Sequence, residues 1–180
     1  MLFGNATNDV YTYSIKNNTW ALYTPTVTRQ GGVTGGGMTA DWVFDVQDPA
    51  WIGGNNGRYI YSFRGAGSAV LNRLDLTTRA WELITYMPNV ETFTTGSGSD
   101  YSRNYIYVSK ENSGRFFRFN IVANRLVPWS TCIYPNSTAM AGDKVWTKVY
   151  KDKTTGDTIE WLYSLLHNSN ILMRCMMIKD

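Results

Sequence analysis

Phe117-Arg118-Phe119-Asn120-Ile121, followed after a short turn by Leu126, is one copy of a pattern that this chain repeats. The other copies are residues 11–15 followed by Trp20, residues 72–76 followed by Trp81, and a weaker copy at residues 173–177. Apolar and polar residues alternate in each copy, or nearly so, which predicts a β-strand. Because self-similarity at a period of tens of residues is typical of repeat architectures, the pattern predicts a fold built from repeated units.

A second shared run lies upstream of each of the later copies. The runs are residues 58–63, 104–109 and 160–165, and they are centred on Tyr61, Tyr107 and Tyr163. Each run is apolar on both faces, which predicts a strand packed between two layers. Helical periodicity is nearly absent, and four strands in about 40 to 50 residues are what one β-propeller blade requires. The sequence therefore predicts an all-β propeller segment.

The repeat spacing divides the chain into four units. They are a partial blade over 1–30, complete four-stranded blades over 31–90 and 91–134, and a partial blade over 135–180. The innermost strands are expected at 36–40, 95–99 and 139–143, where small residues suit crowding near an axis. The Tyr-centred strand that belongs to Trp20 is expected before residue 1, and the outer strand that belongs to Tyr163 after residue 180. Three explanations stay open: a longer propeller, a ring completed by several chains, or a partner that supplies strands.

The repeated unit resembles the kelch-type repeat of kelch proteins and of the central domain of galactose oxidase. Tyr59-Ile60-Tyr61-Ser62-Phe63 matches its hydrophobic run, Arg64-Gly65 stands at its glycine pair, Leu74-Asp75 lies near its tyrosine, and Trp81 stands at its tryptophan. The glycine pair is lost at Lys110-Glu111 and Leu166-His167, and Leu126 replaces the tryptophan. The units are also similar in style to those of structural proteins of tailed bacteriophages, which implies a virion location.

Composition narrows the classes of function. The 180 residues carry 17% charged side chains and a net charge of +3 without clusters, so the chain lacks the concentrated basic face of a nucleic-acid-binding protein. The N-terminus has no signal-peptide pattern, and no apolar run is long enough to predict a spanning helix. We expect a protein without nucleic-acid or membrane partners.

The two cysteines, Cys132 and Cys175, are far apart in the sequence. Unpaired cysteine behaves as a small hydrophobic residue, so the sequence predicts two buried free thiols. A single long-range disulfide is the alternative.

The resemblance to galactose oxidase implies a copper site with at least two histidines and a tyrosine linked to a cysteine. The chain has one histidine, His167, in a predicted turn, so no copper or His-rich zinc site is expected. The glycine run over 31–37 lacks the Gly-Lys-Ser/Thr of a phosphate loop, and Gly96-Ser97-Gly98-Ser99 is not a nucleophile elbow. The sequence predicts no cofactor and no catalytic residues.

Carboxylates are considered because propellers host glycosidases, which use a carboxylate pair. The candidates near predicted inner strands or loops are Asp41, Asp45, Asp48, Glu91, Asp100 and Asp143. Nothing in the sequence pairs any two of them, so each is interpreted as a turn or edge residue. Residues 152–157 are predicted to form a charged hairpin turn with Thr-Gly at its tip.

Two sets of side chains are candidates for binding. Arg73, Arg118 and Arg174 recur at equivalent positions, either as a ring that meets an acidic partner or as side chains stacked along their own blades. Repetition favours the stacking interpretation. The aromatic residues Trp42, Trp51, Tyr101 and Trp146 lie in segments that enter the blades. Packing is favoured for them over sugar stacking or anchoring of a partner.

These observations favour a non-enzymatic structural or assembly module that presents a rigid propeller surface. The specific hypothesis is a structural protein of a tailed phage, completed by copies of itself or by neighbouring virion proteins. A carbohydrate-binding propeller is the first alternative, and a glycosidase-like enzyme is the second.

Overall fold

The computed structural model describes residues 2–3, 9–29, 38–41, 57–64, 70–86, 99–102, 105–110, 115–133, 144–165 and 171–177. These residues form strands, turns and connecting segments, and none of them lies in a helix. The prediction of an all-β chain is confirmed.

The strands form four antiparallel sheets, and each sheet pairs its strands in chain order. Sheet I contains β1 (Leu2–Phe3), β2 (Val10–Ser14) and β3 (Thr19–Tyr23). Sheet II contains β4 (Met38–Ala40), β5 (Tyr59–Phe63), β6 (Val70–Asp75) and β7 (Ala80–Tyr86). Sheet III contains β8 (Ser99–Ser102), β9 (Tyr105–Lys110), β10 (Arg115–Asn120) and β11 (Arg125–Ile133). Sheet IV contains β12 (Lys144–Lys151), β13 (Thr158–Leu165) and β14 (Leu172–Met177).

The repeated pattern forms a strand in every sheet. Its four copies lie in β2, β6, β10 and β14, and the Tyr-centred runs form β5, β9 and β13. The strands that begin beside Trp20, Trp81 and Leu126 are β3, β7 and β11. All of these strands were predicted from alternation and spacing, and all are confirmed.

The turns that follow the repeated strand share one geometry in sheets I, II and III. The last turn residue has a positive φ in each case: 51° at Asn18, 62° at Arg79 and 51° at Asn124. Asparagine tolerates this left-handed conformation better than most residues. The side chain that ends each strand accepts a hydrogen bond from a backbone N–H inside the turn: Asn17 to Ser14 at 3.3 Å, Thr77 to Asp75 at 2.8 Å and Ala123 to Asn120 at 2.9 Å. The repeat therefore includes the turn as well as the strand.

The four sheets pack face to face in chain order through buried apolar side chains. Sheets I and II enclose Val10, Ile60, Leu74 and Trp81. Sheets II and III enclose Tyr61, Phe63, Leu71, Tyr101, Ile106, Val108, Phe117 and Phe119. Sheets III and IV enclose Tyr107, Phe116, Val145 and Leu162. Sheets II and III are therefore covered on both faces, as the apolar runs of β5 and β9 predict.

The segment after β3 ties sheet I to sheet II. The N–H of Trp81 donates to the carbonyl of Val27 at 3.2 Å, and Val27 forms a parallel bridge with Ala80. Arg29 is buried at the end of this segment and donates to the Ser62 hydroxyl at 2.7 Å. Burial, together with the nearby charge of Arg64, lowers the pKa of Arg29 to about 10. The guanidinium therefore stays charged at neutral pH.

The first strands of sheets II, III and IV lie side by side, because β8 contacts both β4 and β12. The expected inner strand over 36–40 is observed in its described part as β4. Of the strand expected over 95–99, only Ser99 lies within the described residues, and it is the first residue of β8. The expected strand over 139–143 lies outside the described residues, and β12 begins at Lys144.

The strand expected before residue 1 is present in part. Phe3 pairs with Val10 in sheet I as Phe63 pairs with Leu71 in sheet II. Two residues are too few to show a period of two in the sequence, which is why the spacing argument missed β1.

Candidate functional site

Two of the candidate residues that the structure describes, Asp41 and Tyr101, have structural roles. Asp41 is fully buried, and its carboxylate accepts a hydrogen bond from the N–H of Tyr59 at 3.0 Å. Tyr101 is buried and stacks on Tyr61, with ring centroids 6.4 Å apart and planes 4° apart. The structure describes only the backbone of Asp100, in β8. The following candidates lie outside the described residues: Trp42, Asp45, Asp48, Trp51, Glu91, Asp143, His167 and the glycines at 31–37 and 96–98.

The predicted hairpin turn at residues 152–157 is confirmed. The Asp152 carboxylate accepts hydrogen bonds from the N–H groups of Thr154 and Thr155 at 2.7 and 3.0 Å. These bonds lower the pKa of Asp152. Gly156 has a φ of 74°, a conformation that glycine adopts without steric cost.

The described residues bring no three His, Cys, Asp or Glu side chains together in an arrangement that could hold a metal ion. Within the same ranges, no helix has the length and apolar character needed to cross a membrane.

The prediction of two free thiols is wrong. Cys175 of β14 is disulfide-bonded, and the other cysteine of the chain is Cys132. Sequence spacing does not show which strands of different sheets lie close together, so it favoured the more common buried thiol.

The recurring arginines stack on aromatic rings of the neighbouring strand. The guanidinium carbon lies 4.2 Å from the ring centroid for Arg73 on Tyr59, 5.1 Å for Arg118 on Tyr105 and 4.5 Å for Arg174 on Trp161. Arg73 also forms an ion pair with Glu82 at 2.6 Å. Each pair joins the repeated strand to the Tyr-centred strand of the same sheet. The stacking interpretation of these arginines is supported.

The third of these stacks lies on an exposed surface, which we call the sheet IV outer face. Its members are Trp146, Trp161, Tyr163, Leu165, Leu172, Arg174 and Met176, which the register places on one side of β12, β13 and β14. The rings of Trp146 and Tyr163 stack with centroids 5.4 Å apart and planes 8° apart. Tyr150 extends the face, because its hydroxyl lies 3.1 Å from that of Tyr163.

Electrostatics distinguish this face from its buried counterpart in sheet II. Burial raises the pKa of Tyr61 to about 12. The pKa of Tyr163, at the equivalent position, is also raised, but chiefly by its hydrogen bond with Tyr150.

Two cations of this face whose side chains the structure describes lie over rings. Arg174 lies over Trp161, and the ammonium of Lys148, on the same side of β12 as Trp146, is 5.1 Å from the Tyr150 ring centroid. The sheet IV outer face is therefore a layer of aromatic rings with cations held on them.

A second exposed surface, the sheet I outer face, lies at the other end of the stack. Its members are Tyr11, Tyr13, Trp20 and Leu22, which are paired across β2 and β3 and are all exposed. The rings of Tyr13 and Trp20 are 4.9 Å apart, and the Tyr13 hydroxyl donates to the side-chain oxygen of Asn18. Exposed apolar side chains gathered on one face are typical of interaction surfaces.

The sequence indicates these surfaces only in part. For Trp146 it favours packing over binding, and the residue both stacks on Tyr163 and lies on the sheet IV outer face with 37% of its surface exposed. The sequence predicts that Trp161 and Tyr163 belong to a covered strand, whereas in the structure they lie on the sheet IV outer face. Their local sequence matches that of Tyr105 and Tyr107, so no signal in the sequence identifies them as exposed.

Comparison with known proteins adds no assignment. The chain matches no protein-family model. No curated protein is detectably similar to it in sequence.

Proposed function

We propose that the chain is a kelch-like β-propeller segment that acts as a non-enzymatic assembly module. One observation carries this proposal: sheets II and III are covered on both faces, while sheets I and IV each present an aromatic and apolar outer face. Exposed apolar patches of this kind commonly mark the surfaces through which a protein contacts a partner.

The arrangement of the sheets supports the propeller architecture. Each sheet is an antiparallel meander, and neighbouring sheets pack through their faces. The first strands of sheets II, III and IV are neighbours, as expected for strands around an axis. On this basis, sheets II and III are complete blades and sheets I and IV are partial blades.

The setting we propose is the particle of a tailed bacteriophage. Low charge and abundant Asn, Thr and Gly suit a protein that assembles through neutral surfaces, and the style of the repeats resembles phage structural proteins. Mass spectrometry of purified particles from the phage that encodes the chain tests this setting. Recovery in stoichiometric amount supports a structural role, whereas absence from intact particles contradicts it.

Carbohydrate binding is the alternative that a specific observation favours. The rings of Trp146 and Tyr163 stack on the sheet IV outer face, and Trp146 is 37% exposed. Exposed aromatic rings are surfaces on which sugar rings can pack. A glycan array probed with the native chain and with Trp146→Ala tests this alternative. Binding that the substitution abolishes favours it, and the exposed Val122→Ala variant serves as the matched control because Val122 lies in the turn after β10.

A further inference from the structure

The strand register makes three sheet faces equivalent, residue by residue. Tyr61 pairs with Arg73 in sheet II, Tyr107 with Arg118 in sheet III and Tyr163 with Arg174 in sheet IV. The aromatic residue two positions before each tyrosine, Tyr59, Tyr105 or Trp161, carries the stacked arginine. The sheet IV outer face is thus the same face that sheet II packs on sheet III and that sheet III packs on sheet IV.

Burial differs sharply between these equivalent positions. Leu71 and Phe116 are 0% and 1% exposed within the II–III and III–IV interfaces. Leu172 occupies the same register position in sheet IV and is 56% exposed. The sheet IV outer face therefore has the residues of an interface without its covering sheet.

The sheet I outer face is the other half of the same kind of interface. Leu74 pairs with Trp81 in sheet II, and these side chains are 0% and 5% exposed against sheet I. Tyr13 pairs with Trp20 at the same register position in sheet I, and they are 40% and 54% exposed. This face is the one that a preceding sheet would cover.

We infer that the sheet IV outer face of one chain packs on the sheet I outer face of a second copy. This inference rests on the proposed assembly function and names its partner. The contact is head-to-tail, because it joins two different surfaces, and such contacts form rings when the rotation closes and open chains when it does not.

A second copy is the occupant that the internal interfaces favour. The II–III and III–IV interfaces join the arginine-bearing face of one sheet to the opposite face of the next. The I–II interface uses the equivalent face of sheet I, with Thr12 at the arginine position. This chain exposes one face of each kind, the arginine-bearing face of sheet IV and the opposite face of sheet I. The cations do not require an acidic partner, since Arg174 lies over Trp161 as Arg118 lies over Tyr105 in the III–IV interface. The contact would therefore continue the packing already present within the chain.

Two variants, each altering one outer face, test the inference. Leu22→Asp introduces a charge on the sheet I outer face, and Leu172→Asp does so on the sheet IV outer face. Both side chains are more than half exposed, so the folded chain tolerates the changes, which circular dichroism checks. Val122→Asp is the matched control, because Val122 is 78% exposed but lies in a turn outside both faces.

Native mass spectrometry and light scattering then measure the assemblies. We expect the native chain and Val122→Asp to form oligomers. Each face variant alone should stay monomeric up to concentrations at least about tenfold higher than those at which the native chain assembles, because burial of an unpaired charge is costly. An equimolar mixture of Leu22→Asp and Leu172→Asp should form a 1:1 dimer and nothing larger, since one intact pair of faces remains.

Three results would overturn the inference. They are a native chain that is monomeric throughout, oligomers that the face variants leave intact, and a mixture that shows no dimer. Recovery of the chain in purified particles together with any of these results would leave the proposed assembly function standing with a different partner. Absence from the particles together with a 1:1 mixed dimer would instead leave the head-to-tail contact and remove the virion setting.

Discussion

Arg174 lies over the indole of Trp161 at 4.5 Å from the ring centroid, on the outer face of sheet IV. The same stack joins Arg118 to Tyr105 in sheet III, where the neighbouring sheet IV packs against that face. One repeated pair therefore stands in two environments within one chain. This contrast separates the contribution of the stack from that of its surroundings.

Replacement of these arginines by methionine should cost different amounts of stability. Cation–π contacts contribute more when desolvated, so we expect Arg118→Met to lower the free energy of unfolding by about 1–2 kcal/mol and Arg174→Met by about 0.5 kcal/mol. Urea denaturation measures both. Arg125→Met, at an exposed position, is the control and should change little. Equal losses for Arg118 and Arg174 would contradict a role for burial.

Asp75 should make the free energy of unfolding of the chain depend on pH in the acid range. Arg58 donates to its carboxylate at 2.6 Å, and this hydrogen bond, with those from the N–H groups of Thr77 and Thr78, holds the pKa of Asp75 well below its usual value. A carboxylate with a lowered pKa stabilises the fold above about pH 4 and loses that contribution as the pH falls further. Denaturation series between pH 7 and pH 2 should show this loss. Asp75→Asn should be less stable at pH 7 and show a flatter acid dependence, and an unchanged slope would refute the assignment.

Asn72 is a buried amide whose replacement should stabilise the chain. It is 1% exposed, and neither its amide nitrogen nor its oxygen has a hydrogen-bond partner among the described residues. The equivalent positions hold Tyr11, Phe117 and Met173, so the fold accommodates an apolar side chain there. Since burial of an unpaired polar group is costly, we expect Asn72→Leu to raise the free energy of unfolding by about 1–3 kcal/mol.

Asn120 provides a matched control for the Asn72 substitution. Asn120 accepts a hydrogen bond from the Ala123 N–H at 2.9 Å and caps the turn, so Asn120→Leu should destabilise. A loss of stability in Asn72→Leu comparable with that in Asn120→Leu would show that the Asn72 amide is hydrogen-bonded in the folded chain.

The disulfide at Cys175 should make stability depend on reduction. The bond restricts the unfolded chain, so dithiothreitol should lower the free energy of unfolding of the native chain by about 2–4 kcal/mol. Cys175→Ser should show the same loss without reductant and no further loss with it. Identical midpoints for the native chain with and without reductant would contradict a bond that contributes to the fold.

Most of the strand positions can be predicted from the sequence, because alternation and repeat spacing are local properties. The pattern located β6 and β10 and the turns that follow them, and the two-sided apolar run located β5 and β9. Two features could not be predicted in this way. A strand of two residues, β1, has no detectable period, and the partner of Cys175 depends on which sheets are neighbours.

The exposed faces were harder to predict, for a related reason. Trp161 and Tyr163 have the same local sequence context as Tyr105 and Tyr107, so a repeat pattern assigns them the same environment. Whether a further sheet covers them is a property of the stack and not of the strand. The exposure of Leu172 and Trp20 therefore depends on how the sheets pack and cannot be predicted from the local sequence.

The mass of the native assembly formed by the 180-residue chain tests the central claim most directly. The chain has a mass of 20.4 kDa. We predict a discrete multiple of this mass, or a concentration-dependent series of multiples, in which Leu22 and Leu172 become protected from solvent. A single 20.4 kDa species at every concentration, with both outer faces exposed to solvent, would contradict assembly through these faces.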